Sequence, residues 1–195
     1  LTTLDYPCTG FSIRYEFGIF KQKIVDGWQM EFPDNWLELG DVWLVPRKED
    51  EIKVHFGGRV SEEWRDGKDH ITYHDCSTVI AVPHDMLISG YGSPAVNSLV
   101  LWSAKSPDSL DMDLFSRGEY ARAMEENSMA EAITKVLYPA DDHYKGKELR
   151  LKQQYLLVSA SVQTIIKDFL KENKDIHTLP DKVAIHINDT HPSLL

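Results

Sequence analysis

The hydrophobic period of this 195-residue chain changes near residue 111, and this change constrains the fold more than any other feature. From Phe11 to about Trp102, aromatic and β-branched runs are separated by Gly and Pro, a pattern typical of strands and turns. Beyond Asp111 the apolar residues recur at helical spacing instead. The chain is therefore predicted to have a β-rich first half, and the order of elements in its second half, described below, predicts the α/β class.

Three apolar runs predict strands in the first half. The runs "EIKVHFGGRVSEEW" and "HITYHDCSTVIAVPHD" are connected by the turn-prone "RDGKD", and "SLVLWSA" predicts a further short strand. The five tryptophans of the chain all lie in this half. We expect residues 1–110 to form a β-rich lobe, and residues 111–195 to form a helix–loop–helix–strand part of the same domain.

The second half predicts two helical segments and a strand. The first segment is "SRGEYARAMEENSMAEAITKVLY", in which Asn127–Ser128 can introduce a break and after which Pro139 ends the helix. A longer amphipathic helix covers about Lys147–Lys171, and the alternation over Val183–Ile187 predicts a strand. This order is typical of an α/β layer with a parallel sheet, which binds ligands at the carboxyl ends of its strands. The apolar residues of the first segment that can share one helical face are Tyr120, Met124, Met129, Ile133, Val136 and Leu137.

Charge and composition exclude several classes of partner. The chain has 31 acidic and 21 basic side chains, a formal net charge of -10, and no Lys/Arg-rich run, so we expect no nucleic-acid partner. No segment approaches the roughly 20 apolar residues of a membrane span, and the first residues lack the features of a secretory signal. Cys8 and Cys76 lack metal-ligand spacing, which predicts a reduced, cytoplasmic protein without a metal site.

Polar residues follow the predicted strand near the end of the chain, in the order Asn188, Asp189, Thr190, His191, Pro192. Asp189 or Thr190 can cap a helix that begins near Pro192, since a side-chain oxygen accepts from orphan backbone donors and Pro suits the first turn. A cap does not require His191 beside Asp189. The residues alone therefore leave a structural cap and a binding site both open.

The polar loop "YPADDHYKG" is the second candidate. Its adjacent carboxylates, Asp141 and Asp142, can orient sugar hydroxyls, bind a cation or simply solvate the loop. Paired carboxylates also hydrolyse glycosides, but those flank the scissile bond about 5 to 9 Å apart and usually come from separate segments. The sequence contains no GxGxxG, GxxxxGK[ST], GxSxG or HExxH motif. The residues alone therefore define no self-contained catalytic constellation of these kinds.

Long ordered blocks of the chain resemble the glycogen, starch and maltodextrin phosphorylases. The blocks are "GFSIRYEFGIFKQKIVDGWQMEFPDNWLELGDVW", "VNSLVLWSAKSP", "ITKVLYPADDHYKGKELRLKQQYLLVSASVQTII" and "LPDKVAIHINDTHPS". The resemblance implies an internal part of the amino-terminal, Rossmann-like domain of a two-domain glycosyltransferase of the GT-B type. Such an enzyme cleaves terminal α-1,4-glucosidic bonds with inorganic phosphate and gives α-glucose 1-phosphate with retention.

The resemblance also implies a cofactor and partners. The family uses the phosphate group of pyridoxal 5′-phosphate, and the lysine that holds this cofactor has no counterpart in this chain. We therefore expect no catalytic and no cofactor-binding residue here, and no activity from the chain alone. The implied partners of the whole protein are α-1,4-glucan, phosphate and a second copy in a cytoplasmic homodimer.

Five residues are predicted by the resemblance to lie at the substrate cleft. The loop "YPADDHYKG" resembles the family's gate loop, which contacts the bound sugar, so that Asp141 and Asp142 are the matching positions. Ala140 and Asp142 depart from the Asn-Asp-Asn of well-known members, which makes Asp141 the better match. The end of the predicted strand resembles the family's NDTHP segment at the inner wall of the cleft and contributes Asn188, Asp189 and His191.

Two further expectations concern regulation and an alternative function. The resemblance matches Lys167 and Asp168 to an arginine pair that helps to bind the phosphate of AMP in animal members. Because an acidic side chain at this position repels the negatively charged phosphate, we expect no AMP activation of the animal kind. The alternative is a non-catalytic carbohydrate-binding or interaction module in which Trp28, Trp36 and Trp43 stack on sugars. Core packing is the commoner role of such tryptophans.

Overall fold

A computed structural model describes residues 1–108 and 110–188. The fold is mixed α/β, and the chain forms two compact units, Leu1–Ser161 and Val162–Leu195. The strands are β1 (Thr9–Ile13), β2 (Lys21–Val25), β3 (Trp28–Phe32), β4 (Val45–Pro46), β5 (Ile52–Phe56), β6 (Arg59–Arg65), β7 (Lys68–His74), β8 (Ser77–Ser89) and β9 (Val96–Lys105). The α-helices are α1 (Met112–Ser116), α2 (Tyr120–Ala123), α3 (Glu125–Ala132), α4 (Tyr144–Glu172) and α5 (Leu179–Lys182).

Five strands form the main sheet, in which β8 and β9 are the long central pair. Strand β1 pairs with β9 in parallel, β9 pairs with β8 antiparallel, and both β4 and β5 pair antiparallel with the other edge of β8. The strand predicted at "SLVLWSA" is confirmed as part of β9, whereas "HITYHDCSTVIAVPHD" contains two strands, the end of β7 and the first part of β8. The sequence predicted a parallel sheet, but among the described strands only β1 and β9 pair in parallel.

Two hairpins, β2–β3 and β6–β7, lie outside the main sheet. Each turns through an Asp-Gly pair with positive φ at both residues, Asp26 and Gly27 in one hairpin and Asp66 and Gly67 in the other. Positive φ at both central residues matches the right-handed twist of the flanking strands, and Asp-Gly tolerates it well. The turn predicted at "RDGKD" is therefore confirmed.

The core lies between the main sheet and the helices α3 and α4 of the first unit. Trp102 is fully buried at its centre, and the indole Nε1–H donates a hydrogen bond to Ser161 Oγ at 3.1 Å. This bond satisfies the one polar group of a side chain that otherwise contributes apolar burial. The buried cluster contains Ile52, Val54, Val79, Ala81, Val100, Trp102, Ala104, Ala130, Ile133, Leu156 and Ala160.

The long helix α4 is confirmed, and it begins three residues before and ends one residue after the predicted bounds. Its 29 residues give it the length expected from the sustained apolar period of the sequence. No helix in the described part of the chain is both long and apolar enough to span a membrane.

The helix predicted before Pro139 is wrong in its extent. It consists of the short helices α2 and α3, which break at Met124 rather than at Asn127–Ser128, and α3 ends at Ala132. Beyond this point three backbone carbonyls accept hydrogen bonds from other parts of the chain. Thr134 O and Lys135 O accept from the backbone of residues 16–17, and Val136 O accepts from the Gln153 amide. These bonds replace the helical pattern for residues 134–136.

The shared apolar face predicted for this segment is also wrong. Ile133 is buried, but Tyr120, Met124, Met129 and Val136 are exposed. The interruption of the helix after Ala132 removes the common axis on which these residues would have formed one face. The small residues Ala123 and Ala130 are buried instead.

The strand predicted over Val183–Ile187 is absent from the structure. These residues have no regular secondary structure, and both Ile185 and Ile187 are exposed, with 51% and 66% of their surface accessible. Alternating β-branched residues favour extended backbone, but a strand also requires a hydrogen-bonding neighbour. Among residues 110–188 the structure assigns no strand that could serve as that neighbour.

Candidate functional site

The loop of residues 138–143 connects the end of the α3 segment to helix α4 and contains the first two candidate residues. It begins at Tyr138, which has a positive φ of 55° and an exposed ring. A positive φ is uncommon for a non-glycine residue and indicates that surrounding contacts hold the backbone in place. The contacts at both ends of the loop are therefore what positions its carboxylates.

The loop backbone packs directly on the first turn of α4 at Gly146. This glycine is buried, and a Cβ built on it would lie 1.8 Å from the carbonyl oxygen of Ala140 and 3.0 Å from Asp141 Cα. A side chain cannot be accommodated at that separation, so only glycine permits this approach of loop and helix. The absence of a side chain at Gly146 thus allows the backbone of Ala140 and Asp141 to lie directly against the first turn of α4.

His143 is the residue that starts the helix. Its Nδ1 accepts a hydrogen bond from the backbone N–H of Gly146 at 3.0 Å, and its carbonyl accepts from Lys147 N at 3.1 Å. The side chain therefore satisfies one of the orphan donors of the first turn, as an N-cap residue does. Acceptance at Nδ1 requires a lone pair there, which places the proton of the neutral imidazole on Nε2.

A cation–aromatic contact holds the start of the loop. The guanidinium of Arg150 lies over the ring of Tyr138, 5.4 Å from its centroid. One turn further along α4, the buried Gln153 donates its amide N–H to Val136 O at 3.0 Å. Helix α4 thus contacts the chain on both sides of Leu137 and fixes the segment that leads into the loop.

The two loop carboxylates lie in different environments. Asp141 is half-buried beside the Gly146 contact, whereas Asp142 is exposed to solvent. A half-buried carboxylate on a backbone fixed by packing is preorganised, and a surrounding of lower dielectric strengthens its hydrogen bonds. Asp141 is therefore the better placed of the two to bind a polar ligand.

An apolar cleft of about 450 Å³ opens beside the first residue of the loop. It lies between the segment after β1, the hairpin β2–β3 and the segment that leads into the loop. The lining residues are Phe17, Gly18, Ile19, Phe20, Glu31, Phe32, Pro33, Val136, Leu137 and Tyr138. This cleft was not predicted, because its walls come from segments more than 100 residues apart and no local pattern brings them together.

The structure brings only two of the five predicted cleft residues into one described element. Asp141 and Asp142 lie in the loop of the first unit, whereas Asn188 lies in the second unit, where it is exposed and outside regular structure. Asp189 and His191 fall outside the described residues. His143 and Gly146 were missed as positioning residues, although a His directly before a helical pattern and a Gly three residues later were visible signals.

Two observations bear on metals and cofactors. Within residues 1–108 and 110–188, no group of three or more His, Cys, Asp and Glu side chains could hold a metal ion. Every lysine of the chain lies in these ranges and is exposed or half-exposed. A lysine that forms a Schiff base at neutral pH is activated by burial or by a neighbouring cation. None of the lysines present is buried, so none has the desolvated environment that would suit it to carry pyridoxal phosphate.

Comparison with known proteins assigns the family. The family model described as carbohydrate phosphorylase matches residues 1–195. The brain form of glycogen phosphorylase from Homo sapiens is 45% identical over 202 residues, covering 100% of this chain and 24% of that protein. The muscle forms from Mus musculus and Oryctolagus cuniculus are each 44% identical over 203 residues, with the same coverage. The chain thus spans about a quarter of the length of these relatives. With the family model matched along its whole length, the chain belongs to the carbohydrate phosphorylase family.

Proposed function

We propose that the chain is part of an α-1,4-glucan phosphorylase, which transfers a terminal glucose of the glucan to inorganic phosphate and releases α-glucose 1-phosphate with retention. Family membership and 45% identity to a glycogen phosphorylase support this proposal. We assign the chain to the Rossmann-like, amino-terminal domain of a cytoplasmic GT-B enzyme. We propose residues 1–110 as its β-rich part and residues 111–195 as the remaining α/β part of the same domain.

The observation that carries the proposal for this site is the fixed position of the loop carboxylate. Asp141 is half-buried, and the close contact between Gly146 and Ala140 sets its backbone. A sugar hydroxyl that donates to this carboxylate gains a hydrogen bond to a charged group, worth about 1.5 to 3 kcal/mol. Asp142 is exposed, so its bond to a sugar would compete with water and contribute less.

Isosteric substitutions in the intact enzyme test this assignment. Asp141→Asn keeps the size and an acceptor oxygen but removes the charge, and we expect kcat/KM for phosphorolysis of maltoheptaose to fall about 10- to 100-fold. Asp142→Asn should lower it less. Asp66→Asn is the matched control, because Asp66 is exposed in the β6–β7 turn and Asn also tolerates its positive φ. Unchanged kcat/KM in Asp141→Asn contradicts a role for this carboxylate in sugar binding.

The same proposal includes Asn188, Asp189 and His191 as residues of the inner wall of the cleft. It rests on the resemblance of "NDTHP" to the family segment and on family membership. Polar side chains there would bind sugar hydroxyls, and His191→Ala should then raise KM for the glucan more than KM for phosphate. Equal effects on both constants would argue against direct sugar contact.

We infer that pyridoxal 5′-phosphate is held by a part of the enzyme outside this chain. The exposure of all its lysines supports this inference. The isolated chain, supplied with pyridoxal phosphate, inorganic phosphate and maltoheptaose, should release no glucose 1-phosphate. Reproducible turnover by the isolated chain would overturn the inference.

We also propose that the intact enzyme is a homodimer without AMP activation of the animal kind. The support is the resemblance, which matches Lys167 and Asp168 to the arginine pair of the animal members. An approaching phosphate would meet like charge at this position. Assays of the intact enzyme with and without AMP test the expected lack of activation, and a large activation by AMP contradicts it.

A second candidate function is supported by the exposure of three tryptophans. Trp28, Trp36 and Trp43 expose 77%, 46% and 73% of their surface, so they are not core residues. Exposed indoles can stack on sugar rings. In a carbohydrate-binding module, tryptophan fluorescence should change and saturate as glucan is added to the isolated chain, and a linear or absent response excludes this candidate.

A further inference from the structure

Cys76 and His55 form a thiol–imidazole pair at the edge of the main sheet. Cys76 Sγ lies 3.5 Å from His55 Nδ1, and Thr78 Oγ1 lies 3.0 Å from the same nitrogen. His55 on β5 and Thr78 on β8 are direct partners in the antiparallel register. The ring of Tyr73 stacks on the imidazole with centroids 4.9 Å apart, which fixes its plane.

Close packing holds the backbone just before Cys76 in place. Gly58 has a φ of +72°, and a Cβ on it would lie 2.3 Å from His74 O and 2.9 Å from Cys76 N. The segment before β8 therefore packs against a glycine that no other residue could replace without a shift. Asp75 also has a positive φ, and its carboxylate pairs with Arg59 at 2.9 Å, which holds the turn.

Cys76 lines a cleft of about 460 Å³. One wall is formed by the start of β8 and the other by α3, which contributes Met129 and Ala130. Asp108 and Glu126 also line the cleft. A small molecule can therefore reach Cys76 from the cleft, and a group attached to the sulfur would lie against α3.

We propose that Cys76 is a nucleophilic modification site, that His55 is its general base, and that its reagents are small disulfides. The Cys76 thiol gives its proton to His55 Nδ1, and the thiolate attacks one sulfur of the disulfide. A protein–reagent S–S bond forms as the S–S bond of the reagent breaks. The leaving thiolate takes the proton from the imidazolium, so the products are a mixed disulfide on Cys76 and one small thiol. A base within hydrogen-bonding distance is the usual means of activating such a nucleophile.

Cys8 provides an internal comparison because it is the more exposed thiol, whereas Cys76 is the thiol that contacts an imidazole. Cys8 is the exposed one, and its sulfur accepts from the Asn97 amide at 3.1 Å rather than contacting an imidazole. Cys76 is half-buried and has the imidazole. Accessibility alone makes Cys8 the faster thiol, whereas general-base assistance makes Cys76 the faster one.

The rates of the two thiols with dithiodipyridine test the proposal. This disulfide is neutral, so Asp108 and Glu126 neither attract nor repel it. The intact native protein is labelled for short times at pH 7, and modification is quantified by mass spectrometry of the peptides that contain Cys8 and Cys76. We expect Cys76 to react at least about tenfold faster than Cys8. A Cys76 rate equal to or below that of Cys8 overturns the proposal.

Two variants separate the base from a packing effect. His55→Gln keeps a hydrogen-bonding side chain but removes the imidazole, and it should lower the Cys76 rate to that of Cys8 or below. Thr78→Val removes the hydroxyl that shares Nδ1, retains the shape of the side chain and should preserve the advantage of Cys76. An unchanged rate in His55→Gln, or loss of the advantage in Thr78→Val, contradicts the assignment of His55 as the base.

Discussion

Gly146→Ala is the substitution that most sharply tests how the candidate loop is positioned. In an ordinary helix this change stabilises by up to about 1 kcal/mol, because Gly is the poorer helix former. Here the added Cβ would lie 1.8 Å from Ala140 O, and real Cβ contacts with backbone are not found below 3.0 Å. The loop must therefore move by at least 1.2 Å, the difference between these two distances.

The energetic consequence follows from two opposing terms. Overpacking of this kind costs about 1 to 3 kcal/mol, and the gain in helix propensity offsets only part of it. We expect a net loss of about 1 to 2 kcal/mol in the free energy of unfolding, measured by urea denaturation. A displacement of about 1 Å at a substrate-positioning residue can also reduce activity about 100-fold, and kcat/KM of the intact enzyme reports this effect.

Lys147→Ala is the matched control for this substitution. Lys147 is the next residue of the same helix, its side chain is exposed, and Lys and Ala have similar helix propensities. We expect the control to change stability by less than about 0.5 kcal/mol. A Gly146→Ala variant that is as stable as the wild type, with unchanged kcat/KM, would refute the claim that this contact positions the loop.

Two further predictions concern the stability of the fold. Burial, and after it the charge of Arg14, lower the pKa of His84 below the ordinary histidine value, so the folded state binds fewer protons than the unfolded state. The contribution of neutral His84 to the free energy of unfolding is complete above about pH 6.5 and is lost as the pH falls below that value. The His84→Gln variant should lack this loss, and urea denaturation of both proteins at pH 5.5 and 7.5 measures the difference. Asp111→Ala removes the carboxylate that caps α1 at 3.0 Å and should cost about 1 kcal/mol, whereas Asp113→Ala in the same helix should cost less.

Local signals predicted the elements that depend on local physics. The Asp66–Gly67 pair defined the β6–β7 turn because both residues tolerate positive φ. The sustained period over α4 predicted its bounds to within three residues, since a long amphipathic pattern has no competing interpretation as a strand. The two loop carboxylates were also identified from the sequence.

Non-local contacts explain what the sequence did not predict. The α3 segment stops early because Thr134 O and Lys135 O pair with residues 16–17, more than 100 residues away in the chain. The parallel pairing of β1 with β9 likewise joins distant segments. The strand expected over Val183–Ile187 was predicted from alternation alone, which measures a preference for extended backbone and not the presence of a neighbour.

The role expected of the loop and the position of the loop have different sources. The resemblance identified Asp141 as the residue expected to contact sugar. The structure gives two physical reasons for its position. The backbone of Asp141 packs against Gly146, and His143 caps the helix that follows. The sequence pattern of a His before the helix and a Gly three residues later is therefore the local signature of this attachment.

We propose that this chain belongs to an enzyme that cleaves α-1,4-glucan with phosphate. The most direct measurement is the product formed from maltoheptaose by the intact enzyme, with and without inorganic phosphate. We expect α-glucose 1-phosphate that appears only with phosphate, and a strongly reduced yield in Asp141→Asn. Release of free glucose without phosphate, at a rate independent of Asp141, would contradict it.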